Sequence, residues 1–246
     1  MSPTVSHLTS DGIDGGSVGL WHAWRAERHR SLTSPTGNLA LVETRWLPAG
    51  ERPDVEEARV GQPDTVTVTT LQRTDLVTGE PEHGLRLWDA ESPAIHHFDR
   101  VDAFPHDPAW LIEATYTPVP GARRVAFEHL RDNGGTRELV VPGDITLAVD
   151  GRDYTLSAFD DDGTLLLVFG DPTNGVSTYG AGRFLFVQRT QDEHRVLLDF
   201  NRAFVPPCGF SDQYNCPMPP RQNRFHLPIE AGEKLPVFRD GFPAQH

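Results

Sequence analysis

The chain has 246 residues, 37% of them hydrophobic, and a formal net charge of −13 from 22 basic and 35 acidic residues. That length suits one large domain or two small ones around an ordinary packed core. The acidic balance argues against nucleic acid or anionic lipid as partner, no stretch reaches the roughly 18 to 20 apolar residues of a membrane span, and the N-terminus carries no signal-peptide pattern, which together place the protein in the cytoplasm.

Residues 1–16, rich in Gly, Ser, Thr and Asp, read as a flexible tail, and residues 17–246 as a single β-rich domain. A helix is predicted from Val18 to Arg30, where Leu20, Trp21, Trp24 and Arg28 recur at helical spacing and Arg28 and Arg30 suit the negative end of the helix dipole. Pro35 and Gly37 end it.

From there the pattern is strand-like. Segments such as "NLALVETRWL", "DTVTVTTLQ", "WLIEATYTPV", "RRVAFEHL", "GRFLFVQR" and "HRVLLDFNRAF" alternate or are rich in β-branched and aromatic residues, between Gly, Pro, Asp and Asn breaks. The fold class is therefore all-β, mainly an antiparallel barrel or sandwich, with one N-terminal helix. Pro118, Pro120 and Gly121 mark a soft subdomain boundary near residues 117–122. The Asp-Gly pairs at 150–151 and 162–163 are two-residue hairpin signals, making Val149 to Phe169 a three-stranded meander. In "AIHHFDR" a strand would part His96 from His97 and Asp99, so two structural histidines are expected rather than a metal centre.

The C-terminal third changes character. Pro206, Pro207, Pro217, Pro219 and Pro220 fix φ and remove amide donors, so this segment cannot be a central strand and is expected to cross the β structure as a proline-rich strap. Phe210, Tyr214 and Met218 are available as its anchors. Cys208 and Cys216 are separated by seven residues, too far for the close pairs of structural zinc; a disulfide and packed thiols remain open, and no metal or cofactor is expected.

Long stretches of this half, "DPTNGVSTYGAGRFLF" (Asp171 to Phe186), "VLLDFNRAFVPPCGFSDQYNCPMPPRQNRF" (Val196 to Phe225) and "AGEK" (Ala231 to Lys234), resemble the bacterial and archaeal family of unknown function DUF1684, nearly full length. The resemblance implies no activity. Around "PTGNLALVETRWL" and at His96 and His97 the chain departs from the family pattern, so no first-half role carries over.

Candidate site residues come from polar groups on apolar strands. Pairing "GRFLFVQR" with "RVLLDFNRAF" through "RTQDEHR" sets Arg183 against Asp199 or Asn201, since the slipped register leaves it beside apolar side chains or Arg202. Such a pair either fixes register or holds a guanidinium ready for an anion. Tyr179, followed by Gly180 and Gly182, adds a hydroxyl or is a core tyrosine whose neighbouring glycines let strands approach closely. Asn223 joins the tentative set, or satisfies loop backbone. "GVSTYG" is one residue too long for a nucleophile elbow, and Asp171, Asn174 and Gly175 read as a turn.

Two functions follow as expectations: binding of a small polar or anionic ligand near residues 171–224 by Tyr179, Arg183, Asp199, Asn201, Arg202 and Asn223, or a structural, protein-interaction role without a pocket. A hydrolase with an Asp general base is a third reading, without a recognisable triad, phosphate loop or dinucleotide fingerprint to support it.

Overall fold

The computed structural model describes residues 14–132 and 135–243. The expected tail lies outside the described residues up to residue 13, and residues 14–16 open helix α1 (Asp14–Leu32), which carries His29 and Arg30 in its last turn. Its apolar stripe is narrower than the spacing suggests: Trp21 is buried, whereas Leu20 is 61% exposed.

Among the described residues, the chain divides into two compact units, one of residues 14–24, 102–206 and 216–235, the other of residues 25–101, 207–215 and 236–243. The second unit is built on a three-stranded antiparallel sheet of β1 (Leu41–Trp46), β2 (Val66–Thr74) and β3 (Pro81–Asp89), with β3 central. Val66, Val68, Leu85 and Leu87 face inward, and Val55 and Ala58 of the short helix α2 (Val55–Arg59) pack on them. Asp54 caps α2 by accepting from the Glu57 N–H at 3.0 Å. "AIHH" is not a strand but helix α3 (Pro93–His97), capped by Ser92, and strand β4 (Phe98–Ala103) begins only afterwards. His96 faces Glu91 at 2.9 Å, while His97 stacks on Phe242, so the two rings are dispersed.

The first unit is a closed barrel. Strands β5 (Leu111–Glu128), β6 (Thr136–Val149), β7 (Arg152–Asp161), β8 (Thr164–Phe169), β9 (Arg183–Arg189) and β10 (Arg195–Asp199) pair in sequence and β10 returns to β5, all antiparallel. Closure removes the free edges that an open sheet of this length would expose. Both Asp-Gly pairs turn as their residues dictate: Asp150 and Gly151 have φ of 51° and 73°, Asp162 and Gly163 of 50° and 85°. Pro118 to Gly121 does not divide the unit. Pro118 pairs with Gly143 and Arg123 with Val141, so four residues of β5 bulge opposite one of β6 and the strand continues.

The inward positions carry apolar side chains, and one end of the barrel is an aromatic knot in which Phe200 meets Phe169, Phe225 and Trp110 edge-on at 5.3, 5.6 and 6.1 Å. The expected strap is present. Its part in this unit is tied to β5 by the Met218 N–H on Glu128 O (2.7 Å) and the Leu130 N–H on Cys216 O (2.9 Å), and beyond β8 by the Phe225 N–H on Gly170 O (2.8 Å).

Candidate functional site

Arg183 opens β9 and is wholly enclosed, with no exposed surface. Its Nη2 donates to Asp171 Oδ2 and to Ile229 O, both at 2.8 Å. Its Nη1 donates to Ala231 O and, at 3.4 Å, to Glu233 O. The Phe169 ring lies 5.2 Å from the guanidinium carbon. Burial pushes the guanidinium pKa down, and the charge and hydrogen bond of Asp171, with the charge of Glu233, push it back up. The expected pairing with Asp199 or Asn201 is not made. The β9–β10 ladder consists of Val196 with Arg189 and Leu197 with Gln188, after which Phe184 bridges Phe204. The cation escapes the slipped register's penalty by finding its carboxylate in the loop before β9, where strand alternation gives no signal.

That loop is the turn the sequence suggests. Asp171 Oδ1 accepts from the Thr173 N–H at 2.8 Å, Asn174 Oδ1 accepts from the Asp171 N–H at 2.7 Å, and the Thr173 and Thr178 hydroxyls meet at 2.8 Å. Gly175 takes a φ of 75°. Asn174 Nδ2 donates to the Tyr179 carbonyl at 3.2 Å, and the Tyr179 side chain is buried. Ser177 sits in this turn with its N–H on Thr173 O.

Asp199, Asn201 and Arg202 lie where β10 ends. The strand stops because Asp199 Oδ1 accepts from the Asn201 N–H (3.2 Å) and from its Nδ2 (3.1 Å), winding Phe200–Arg202 into a 3₁₀ turn. Asn201 is clamped to Asp107, accepting its N–H at 2.9 Å and donating to its carbonyl at 3.0 Å, while the Asn201 carbonyl accepts from Trp21 Nε1 at 2.9 Å. Arg202 Nε stands 3.1 Å from Asp199 Oδ2, yet out of line for a hydrogen bond. His106, next to the clamped Asp107, has a buried Nδ1 with no hydrogen-bond partner. The Arg202 side chain keeps 30% of its surface exposed, whereas Asp199 keeps 11%.

Asn223 is spent on backbone. Its Oδ1 accepts from the Ser157 N–H (2.9 Å), and its Nδ2 donates to Ser157 O (2.9 Å) and Val168 O (2.8 Å), stitching the strap to β7 and β8. The sequence-derived residues thus separate into Arg183 with Asp171, the Asp199–Arg202 corner, and Asn223. Asp171, Glu233 and His106 were not legible as partners. Among the described residues, no three His, Cys, Asp or Glu side chains gather as a metal site, and Cys208 and Cys216 are buried thiols.

These features define a closed six-stranded barrel laced by a C-terminal strap around one enclosed arginine. The chain belongs to the family of proteins of unknown function DUF1684, whose model matches residues 96–234. Among solved structures it is similar to the solution NMR structure of an uncharacterized protein of Haloarcula marismortui, 31% identical over 56% of this chain and 77% of that one, with a TM-score of 0.46. No curated protein matches.

Proposed function

We propose that the protein binds a small polar or anionic molecule at the Asp199–Arg202 corner, with Arg202 and His106 meeting it and Asn201 bracing both. The observation that carries this reading is a pair of buried nitrogens that make no hydrogen bond, Arg202 Nε, ion-paired with Asp199 at 3.1 Å but out of line, and His106 Nδ1, beside residues that are clamped to each other. Buried polar atoms left unsatisfied cost stability and are concentrated where a ligand or water completes them. Arg183, Asp171, Tyr179 and Asn223 are buried, and in this reading they do not touch the ligand. The buried thiols suit a reducing compartment, in keeping with a cytoplasmic protein.

A second reading, an interaction module without a ligand, draws on the enclosure of Arg183, because a guanidinium walled off by carbonyls and carboxylate has a structural task. The hydrolase reading is weaker. Asp199 has Oδ1 accepting twice from Asn201 and the charge of Arg202 beside Oδ2, so the carboxylate is tied to its own corner, and among the described residues no nucleophile or histidine is shown in contact with it.

Thermal-shift measurements with phosphate, sulfate, carboxylates and nucleotides at constant ionic strength test the proposal. Selective stabilisation of the wild type that disappears in Arg202→Gln supports it; equal, non-selective shifts in both proteins support the interaction module instead.

A further inference from the structure

At the end of β7 opposite its acidic hairpin, Tyr154 and the nearby Asp150 meet His226, which is distant in sequence. Tyr154, on β7, points its ring into the barrel core against Phe225 at 4.8 Å, and its hydroxyl makes a short hydrogen bond to His226 Nδ1. The His226 backbone N–H donates back to the same phenol oxygen at 3.1 Å, and the two rings lie nearly parallel at 17°. His226 Nε2 stands 4.0 Å from Asp150 Oδ2, and Asp150 occupies the β6–β7 turn at a φ of 51°. The guanidinium of Arg152 lies 5.6 Å from the Tyr154 ring centroid.

From this geometry we infer that Tyr154 is an activated nucleophile, with His226 as its base and Asp150 as a positioning residue, suited to electrophilic acyl or sulfonyl groups that carry negative charge. This site is separate from the Arg202 corner and does not rest on the function proposed there. The arrangement has the logic of a nucleophile, a base and an orienting carboxylate. The phenol proton passes to His226 Nδ1, the imidazolium charge is balanced by Asp150, and the new phenolate is held by the His226 N–H. The phenolate oxygen then bonds to the electrophilic centre, the leaving group departs with its electron pair, and the proton on His226 follows it. Arg152, exposed at the start of β7, supplies the charge that favours an anionic electrophile.

Two features oppose a purely apolar packing role. The buried hydroxyl finds both its donor and its acceptor partner on a single residue, His226, and the acceptor is a ring nitrogen able to take the proton. The base is partly solvent-exposed, with 33% of its side-chain surface open, and the carboxylate is 59% open, so a proton can leave.

The test is covalent labelling of the folded protein at neutral pH with a carboxylated aryl sulfonyl fluoride, read by intact mass and peptide mapping. Attack forms the O–S bond, breaks S–F and releases fluoride. The proposal expects labelling at Tyr154 faster than at the other tyrosines, none in Tyr154→Phe, and at least a tenfold loss in His226→Ala that added imidazole restores. Asp150→Asn slows labelling and Asp150→Glu restores it. Circular dichroism of Tyr154→Phe establishes that the barrel folds without the hydroxyl. An unlabelled Tyr154 in the wild type overturns the proposal, as does labelling that His226→Ala leaves unchanged or that imidazole does not rescue.

Discussion

Arg183 and Asp171, joined at 2.8 Å with neither side chain exposed to solvent, close the loop before β9 back onto the strand it introduces. The pair differs from an isolated buried ion pair, because Arg183 also satisfies the carbonyls of Ile229 and Ala231 in the strap. Replacing both partners by apolar residues is often harmless for an isolated pair. Here it strands the carbonyls of Ile229 and Ala231 and removes the longer bond to Glu233 O.

Arg183→Met should therefore cost about 3–5 kcal/mol, the range for breaking a buried pair, and the double variant with Asp171→Asn should recover only part of that. Urea denaturation of the two single variants and the double variant measures it. Full recovery in the double variant would mean that the strap carbonyls find water and that Arg183 serves Asp171 alone.

Gly182 precedes the arginine at a φ of +96°, and a Cβ there would lie 2.5 Å from Pro219 Cγ and 2.7 Å from Phe169 O. Left-handed strain and overpacking act together, so Gly182→Ala should cost about 2–4 kcal/mol. Adding Pro219→Ala removes the side-chain clash but not the strain. A thermal melt should show partial recovery in that double variant.

Asn223 uses one oxygen and one NH₂ group on three backbone partners, a division that a carboxylate cannot copy. Asn223→Asp keeps the acceptor for Ser157 N–H and loses both donations, to Ser157 O and Val168 O. The expected loss is about 2–4 kcal/mol by chemical denaturation, comparable to that of Asn223→Ala. A much milder Asn223→Asp would show that the two carbonyls are satisfied by other means.

Much of this was written in the sequence. Asp-Gly pairs, strand alternation and the prolines fix the meander, the barrel strands and the strap, because each acts through the local backbone. Arg183 also stands out locally, as a cation on an apolar strand. Its partner does not, since Asp171 reaches it from an irregular loop whose course depends on Asn174, Thr173 and Thr178 bonding to one another. The β9–β10 ladder, Val196 opposite Arg189 and Leu197 opposite Gln188, takes the register that would face Arg183 with Arg202, and it can do so because Asp171 supplies the cation's partner from outside the ladder. Tyr154 and His226 lie 72 positions apart, and the strap, stitched to β7 by Asn223, brings them together.

His129 gives the fold a pH dependence. Burial, its largest influence, pushes the imidazole below its ordinary value of 6.5, while the Phe127 carbonyl and Asp132 pull it back up. A depressed histidine binds fewer protons in the folded chain than in the unfolded one, so stability declines as pH falls below about 6.5 and levels off once the folded-state value is passed. Denaturation of wild type and His129→Gln between about pH 8 and 5 should show a steeper acid loss in the wild type. Equal slopes would mean that His129 titrates alike in both states.

The central claim, that the ligand meets Arg202 while Arg183 is structural, is tested most directly by Nε–Hε correlation spectra of arginine-labelled protein titrated with the same anions and metabolites. The account predicts that the Arg202 resonance moves and saturates with one ligand class, while the Arg183 resonance stays still and resists exchange with solvent. A ligand that shifts Arg183 and leaves Arg202 unmoved, or a complete absence of shifts at Arg202 across the panel, would contradict it.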